Sequence, residues 1–162
     1  MKSKKQKIGT IHRLRLYDEK HRLIWAETIK NLFPTLGLND VLDQYFDGAA
    51  YTAAHYVGLK STGTIALADT MASHAGWTEL AIYSEATRPQ ITWSAAASGQ
   101  KVSGTLSWSI DDSGTIGGVM ICTDEVISAT DGILIAALDF GSSHTVSSGY
   151  TLEDDITSAL SN

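Results

Sequence analysis

The chain contains five histidines, whose imidazole groups could bind a metal ion. They never occur as HxH, HxxxH or HExxH, so the sequence places no two imidazoles where they could clamp one metal ion. Histidines scattered in this way are more often structural. We therefore expect no metal site and no cofactor from this set, which consists of His12, His21, His55, His74 and His144.

Nucleophiles and carboxylates give no stronger indication of catalysis. Ser73 precedes His74, but adjacent residues of a helix do not face each other, and no GxSxG elbow is present. Carboxylate catalysis can join residues that are distant in sequence, which leaves a wall hydrolase as the lowest-ranked alternative. The prediction is that the chain is not an enzyme, although acids occur in pairs at 111/112, 124/125 and 154/155.

Glycine-rich and acidic loops also lack the spacing of known ligand sites. Gly117 and Gly118 interrupt an apolar run but form neither GxxxxGK[ST] nor GxGxxG, and a bulge or close strand packing is the favoured interpretation. The loops DDSG at 111–114 and TDG at 130–132 contain carboxylates without the ligand spacing of an EF-hand. Both loops are typical of turns between strands.

The cysteine and the tryptophans are expected to pack in the core. Cys122 lies in the apolar run GGVMICT and is predicted to be a small buried hydrophobe, which is consistent with a reducing compartment. Tryptophans could stack on sugars, but at strand positions of a sandwich they more often fill the core. The four are Trp25, Trp77, Trp93 and Trp108.

The first half of the chain must supply the elements around these residues. Alternation of apolar and basic residues in IGTIHRLRLY, a DEK turn and the run HRLIWAETI predict a β-hairpin. Apolar residues at helical spacing predict an amphipathic helix over about 38–46, followed by a strand over 54–59. Asp69 is predicted to cap a short helix that ends at Ala75, with Trp77 entering the core beyond it.

After residue 88 the sequence consists of short β-rich runs separated by turns. This texture predicts a mainly β protein, an antiparallel β-sandwich of jelly-roll or immunoglobulin-like type, with the N-terminal hairpin and the two helices packed on it. We expect an N-terminal basic arm over 1–7 and one domain over 8–162. The runs are RPQITW, KVSGTLSWSI, IGGVMICT, GILIAALDF and SGYTLEDDITSAL.

Charge is distributed unevenly along the chain. The first 30 residues hold nine Lys or Arg and three acids, a charge of +6, so the other 132 residues hold three bases and fifteen acids, a charge of −12. One end of the molecule can therefore attract the acidic body of a neighbour, in a salt-sensitive way. A solvated tail is the simpler interpretation of the terminal lysines. Direct nucleic-acid binding is not expected, because no aromatic or arginine platform accompanies them. No apolar run is long enough to cross a bilayer, so no membrane contact is predicted.

Five blocks of sequence, in order, resemble a family of small structural proteins of tailed bacteriophages. The blocks are NLFPTLGLNDVLDQYF at 31–46, YVGLK at 56–60, ADTMASHAGWTE at 68–79, YSEATRP at 83–89 and VSSGYTL at 146–152. The resemblance covers roughly residues 8–157. It departs from the family pattern in the last strand, where LEDDITSAL contains adjacent acids, and this departure predicts an exposed edge strand.

The resemblance implies a capsid decoration, or cement, protein on the exterior of the virion, present in the host cytoplasm during assembly. The implied partners are the major capsid protein and further copies of the chain in a dimer or trimer. A head-fibre or tail-associated protein, with receptor binding, is the alternative. The residues expected to contact the partner are the basic ones of the arm and first strand, Lys2, Lys4, Lys5, Lys7, Arg13 and Arg15.

Overall fold

The computed structural model describes residues 7–46 and 54–161, which form nine strands and one α-helix. Lys2, Lys4 and Lys5 of the predicted arm lie outside the described residues, and Lys7 is already the first residue of a strand. In chain order the elements are β1 (Lys7–Tyr17), β2 (Leu23–Lys30), α1 (Thr35–Phe46), β3 (Tyr56–Lys60), β4 (Glu79–Leu80), β5 (Gln100–Val102), β6 (Leu106–Ser109), β7 (Gly114–Cys122), β8 (Leu134–Val146) and β9 (Thr151–Ser161).

The strands form two antiparallel sheets. The first sheet has the order β2-β1-β9-β5, and β6 also pairs with β9 beyond β5. The second sheet has the order β4-β3-β7-β8. The chain is thus mainly β and sandwich-like, as the sequence predicted.

Alternation along β1 and β9 directs one face of the first sheet inward. Leu14 and Leu16 are buried between exposed or half-buried neighbours, and Leu152 and Ile156 repeat the pattern on β9. We call this buried side the inner face and the opposite side the outer face. The inner face shares one apolar core cluster with the second sheet, to which β3, β7 and β8 contribute.

The N-terminal hairpin and the helix near 38–46 are confirmed. The hairpin turn is organised by the Asp18 carboxylate, which accepts the backbone N–H groups of Lys20 and Arg22, both at 2.9 Å. The helix begins at Thr35, directly after Pro34, three residues earlier than predicted. Gly37 lies so close to the Ile135 carbonyl that a β-carbon would not fit, which brings the first turn of α1 onto β8.

The predicted short helix over 69–75 is wrong. This segment forms turns and a bridge between Thr70 and Ser73. The Asp69 carboxylate does not cap a helix, because its Oδ2 accepts the Trp77 indole N–H at 2.8 Å and the Ala66 N–H at 2.9 Å. Trp77 is buried, as predicted.

The last strand is an interior strand, so the prediction of an exposed edge is also wrong. β9 pairs with β1 along its whole length on one side and with β5 and β6 on the other. The adjacent acids are tolerated there because Asp154 faces His12 inside and Asp155 faces Arg15 outside. Of the other β-rich runs, RPQITW forms no strand. It makes two isolated bridges, from Gln90 to Tyr56 and from Trp93 to Ser103.

Candidate functional site: the outer face of the first sheet

The outer face of the first sheet carries the described basic residues that were predicted to bind a partner. Arg13 and Arg15 lie on β1 between the buried Leu14 and Leu16, so strand alternation places both guanidinium groups on the outer face. The same strand begins at Lys7 and therefore joins this face directly to the N-terminal segment.

The two arginines differ in the number of hydrogen bonds and ion pairs that they form within the chain. Arg15 donates to Glu153 Oε2 at 3.1 and 3.2 Å and to Asp155 Oδ2 at 2.6 Å. These bonds, that to Asp155 foremost, raise the pKa of Arg15 against the opposing effect of its partial burial. Arg13 is exposed, and its described polar contact is a 3.3 Å bond from Nη1 to Thr157 Oγ1. Arg13 is therefore the more available of the two for a partner.

Intramolecular pairing lowers the effective charge of the N-terminal region. Arg22 is bonded to Asp18 across the hairpin turn, with Nη2 2.6 Å from Oδ2, and this bond raises the Arg22 pKa and lowers the Asp18 pKa. Within residues 7–46, Arg13, Lys20 and Lys30 are exposed bases without an ion pair. Arg13 and Lys30 lie on the outer face and are the cations that it can offer to an acidic partner, whereas Lys20 lies in the hairpin turn.

A second cluster, on the inner face, has the residue types of a catalytic triad. His12 Nδ1 lies 2.6 Å from Asp154 Oδ2, and His12 Nε2 lies 3.2 Å from Thr10 Oγ1. His12 and Asp154 are completely buried, and Thr10 is 5% exposed. A hydroxyl in this position has no open side for a substrate, so the cluster joins β1 to β9 and does not form an active site.

The sequence contained a partial indication of this cluster. Thr10 and His12 share the alternating phase of Leu14 and Leu16, which predicts that all four face inward. Asp154 lies 142 positions away from His12, and no local spacing connects the two. Sequence reasoning considered the acid pair and the histidines separately and missed their contact.

A buried lysine forms a third polar cluster in the second sheet. Lys60 Nζ donates to the carbonyls of Ser61 at 3.0 Å and Gly63 at 3.1 Å and to the Asp139 carboxylate. Its three N–H donors are thus all used, and the ammonium group also lies 5.8 Å from the centre of the Trp77 ring. Beside it is a shallow cleft of about 330 Å³, lined by Thr62, Gly63, Thr64, Gly117 and residues 139–143.

A fourth cluster holds the loop after β7 against β4. The Arg88 guanidinium makes two bonds to the Glu79 carboxylate, 2.7 and 2.8 Å long, and one to the Asp124 carbonyl at 2.8 Å. Glu79 also accepts the Ser128 N–H at 2.7 Å. Nearby Cys122 is completely buried, as predicted, and burial raises the pKa of its thiol.

These clusters and the aromatic residues leave the outer face as the best candidate for function. Each buried charge described above is bonded to other groups of the chain, and Trp77 and Trp108 are buried while Trp25 and Trp93 are half-buried. Within residues 7–46 and 54–161, no three metal-ligating side chains lie close enough together to hold an ion. No helix in those same ranges is long and apolar enough to cross a membrane.

Comparison with known proteins does not assign the chain to a family. No family model matches the sequence, and no curated protein is significantly similar to it.

Proposed function

We propose that this protein is a bacteriophage capsid decoration protein, built on a β-sandwich of jelly-roll or immunoglobulin-like type. It binds the major capsid shell at capsomer junctions and stabilises the head by many non-covalent contacts. The observation that carries the proposal is the outer face of the first sheet, where β1 carries the exposed Arg13 and begins at Lys7, directly after the lysine-rich sequence of residues 1–6. The five sequence blocks that resemble phage structural proteins support the choice of a phage capsid as the assembly.

The polar groups of the buried clusters are hydrogen-bonded to other groups of the chain, which supports a binding role over an enzymatic one. The triad-like cluster is enclosed in the core, the Lys60 ammonium has its full set of acceptors, and Arg88 is bonded to Glu79 and backbone carbonyls. Groups held in this way stabilise the fold. The outer face of the first sheet is exposed, so it can bind a partner.

Two contacts per copy would provide the stabilisation. The N-terminal segment supplies four lysines, and the outer face adds the exposed guanidinium of Arg13. When one contact has formed, the other forms at a high effective concentration, so two modest contacts can hold a copy firmly. A copy that bridges two capsomers must lose a contact before they separate, and hundreds of copies make the shell resistant to internal DNA pressure.

Particles of the phage that encodes this chain provide the test. Deletion of residues 1–7 should lower the fraction of protein that stays on purified particles, and raised salt should lower the retention of the intact protein. Substitution Arg13→Gln should also lower retention. Lys20→Gln removes an equal charge from the hairpin turn, at the other end of β1 from Lys7, and serves as the matched control with unchanged retention.

Location and copy number distinguish this proposal from its alternative. A decoration protein is present in many copies on the outside of the head, and stripped particles lose resistance to heat and osmotic shock. A few copies at the tail or on a fibre would support the head-fibre or tail-associated role. Particles that lack the protein, or that keep full resistance without it, would overturn the proposal.

A further inference from the structure

The edges of the two sheets differ in whether other parts of the chain cover them. Along β5 and β6 the edge is covered by loops: Ser94 N–H donates to the Val102 carbonyl, Gly104 N–H to Thr92, and Ser84 N–H to Ser109, each at 2.9 Å. β4 is only two residues long. Both are recognised ways of preventing a sheet edge from pairing with another chain.

The edge of β8 is covered by the segment that contains β2 and the residues after it. Leu32 and Ala137 exchange two backbone hydrogen bonds of 2.8 and 2.9 Å. Farther along β8, the Gly141 N–H donates to the Glu27 carboxylate at 3.1 Å. Three of the four edges in the described structure are thus short or occupied.

β2 is the exception. It has eight residues and pairs only with β1 among the residues described. The Asn31 N–H donates to the Thr10 carbonyl, and hydrogen-bonded pairs alternate along an antiparallel ladder, so Ile29, Glu27 and Trp25 bond to β1. The backbone N–H and C=O groups of Ile24, Ala26 and Thr28 consequently point away from the sheet, and no described group bonds to them.

The side chains along this edge do not discourage pairing. Ile24 is 50% exposed, and Ala26 and Thr28 are exposed and uncharged. The strand contains no proline, and its Lys30 lies at the far end. Glu27, the acid at the centre of β2, is on the inner face, where its carboxylate is already hydrogen-bonded to β8. An exposed edge of this length, without a central charge on its outer face, is a template for an added strand.

We propose that β2 pairs antiparallel with β2 of a second copy of this chain, about a two-fold axis at Ala26. The first sheets of the two copies would then form one continuous sheet. Ile24 of each copy lies opposite Thr28 of the other, a β-branched pair on the outer face. About six backbone hydrogen bonds form, two for each of the three opposed pairs.

Charges at the ends of β2 favour this register over its neighbours. Centring the axis on Glu27 would oppose two carboxylates, and centring it on Trp25 would set residues 28–30 opposite the hairpin turn at 20–22 and not opposite a strand. With Ala26 at the centre, Lys30 meets Arg22, whose charge is compensated by Asp18. This register therefore has the least repulsion.

A strand of the same chain is the occupant that the chemistry favours. The N-terminal residues 1–6 are basic and would meet Arg22 and Lys30 at the two ends of the edge. The outer-face positions at the centre of β2 are uncharged, and in this register Glu27 lies opposite Trp25 of the other copy, so the strand is compatible with itself. The pairing is a property of the free protein and is independent of the proposed capsid role.

Sedimentation equilibrium of the full chain, from micromolar to near-millimolar protein, tests the proposal. We expect a reversible monomer–dimer equilibrium. Ala26→Lys places two ammonium groups directly opposite each other at the axis and should weaken dimerisation by about tenfold or more. Ser107→Lys introduces the same charge at an exposed position on the outer face of the same sheet and should leave the equilibrium unchanged.

Disulfide trapping gives an independent measurement of the register. Cys122 is buried, so Ala26→Cys adds the single accessible thiol among the described residues and should form a covalent dimer on mild oxidation. Ser107→Cys should not. The proposal is overturned if the chain stays monomeric, if Ala26→Lys does not weaken the dimer, or if a disulfide forms at position 107 and not at position 26. It is also overturned if the chain is a monomer in which Ala26 contributes only to the binding of particles.

Discussion

The two faces of the β1–β9 ladder each contain a contact between a basic side chain and a carboxylate, of equal length but in opposite surroundings. On the inner face, His12 Nδ1 and Asp154 Oδ2 are 2.6 Å apart, and both side chains are completely buried. On the outer face, Arg15 Nη1 and Asp155 Oδ2 are also 2.6 Å apart, but about a quarter of each side chain is exposed. Asp154 and Asp155 are neighbours in sequence, so strand alternation alone separates them.

The difference shows that the distance between the two groups does not determine how much their contact contributes to stability. Water and salt screen the outer pair, so its net contribution is small. The inner pair had to be removed from water, and the loss of one partner would leave the other buried without compensation. The inner face should therefore be sensitive to single substitutions and the outer face tolerant of them.

The largest effect is expected for Asp154→Ala. This change leaves the His12 ring nitrogen without its acceptor in the core and should lower the free energy of unfolding by about 3–5 kcal/mol. Urea unfolding followed by circular dichroism measures it. A loss below about 1 kcal/mol would show that the two faces do not differ as proposed.

An intermediate effect is expected when both members of the inner pair become apolar. His12→Leu combined with Asp154→Val removes the pair without leaving a buried charge, and such replacements are often neutral or stabilising. The double variant should unfold within about 2 kcal/mol of the original protein. If it is as unstable as Asp154→Ala, packing and not charge makes the inner face sensitive.

The smallest effect is expected for Asp155→Asn, which should cost about 0.5–1 kcal/mol at neutral pH. Burial by itself would raise the pKa of Asp155. The hydrogen bonds from Arg15 and from Thr105 Oγ1 lower this pKa by more than burial raises it, so the pKa of Asp155 is below the usual value. A carboxylate with a lowered pKa stabilises the fold above its unfolded pKa, about 3.9, and that contribution disappears as the pH falls through the folded value.

Denaturation at several pH values measures this contribution. The difference between the original protein and Asp155→Asn should be constant above about pH 5 and should vanish in strong acid. A difference that persists at low pH would mean that the amide is destabilising for a reason other than the lost charge.

Much of the fold followed from local patterns. Alternation in IGTIHRLRLY predicted β1 and its two faces, and with them the outward placement of Arg13 and Arg15. Turn residues at 111–114 and 130–132 separated strands where expected, and Gly132 has a positive φ of 80°. The helix near 38–46 was found because its period spans several turns.

Local patterns misled where a tertiary contact competed with them. Asp69 has the chemistry of a helix cap, but the Trp77 indole N–H takes its carboxylate, and the segment forms turns. The acids of β9 suggested an edge, because an unpartnered charge inside a sheet is unfavourable. Their partners, His12 and Arg15, come from the other end of the chain.

The sequence by itself determined which residues of β1 face inward, the turns at 111–114 and 130–132 and how charge is divided along the chain, because these depend on neighbours a few positions apart. Only the tertiary structure decided that β9 is an interior strand, that Asp154 meets His12 and Asp155 meets Arg15, and that β2 keeps an uncovered edge. Strand order and buried partners join residues more than a hundred positions apart, and no local preference encodes which distant segments will pair.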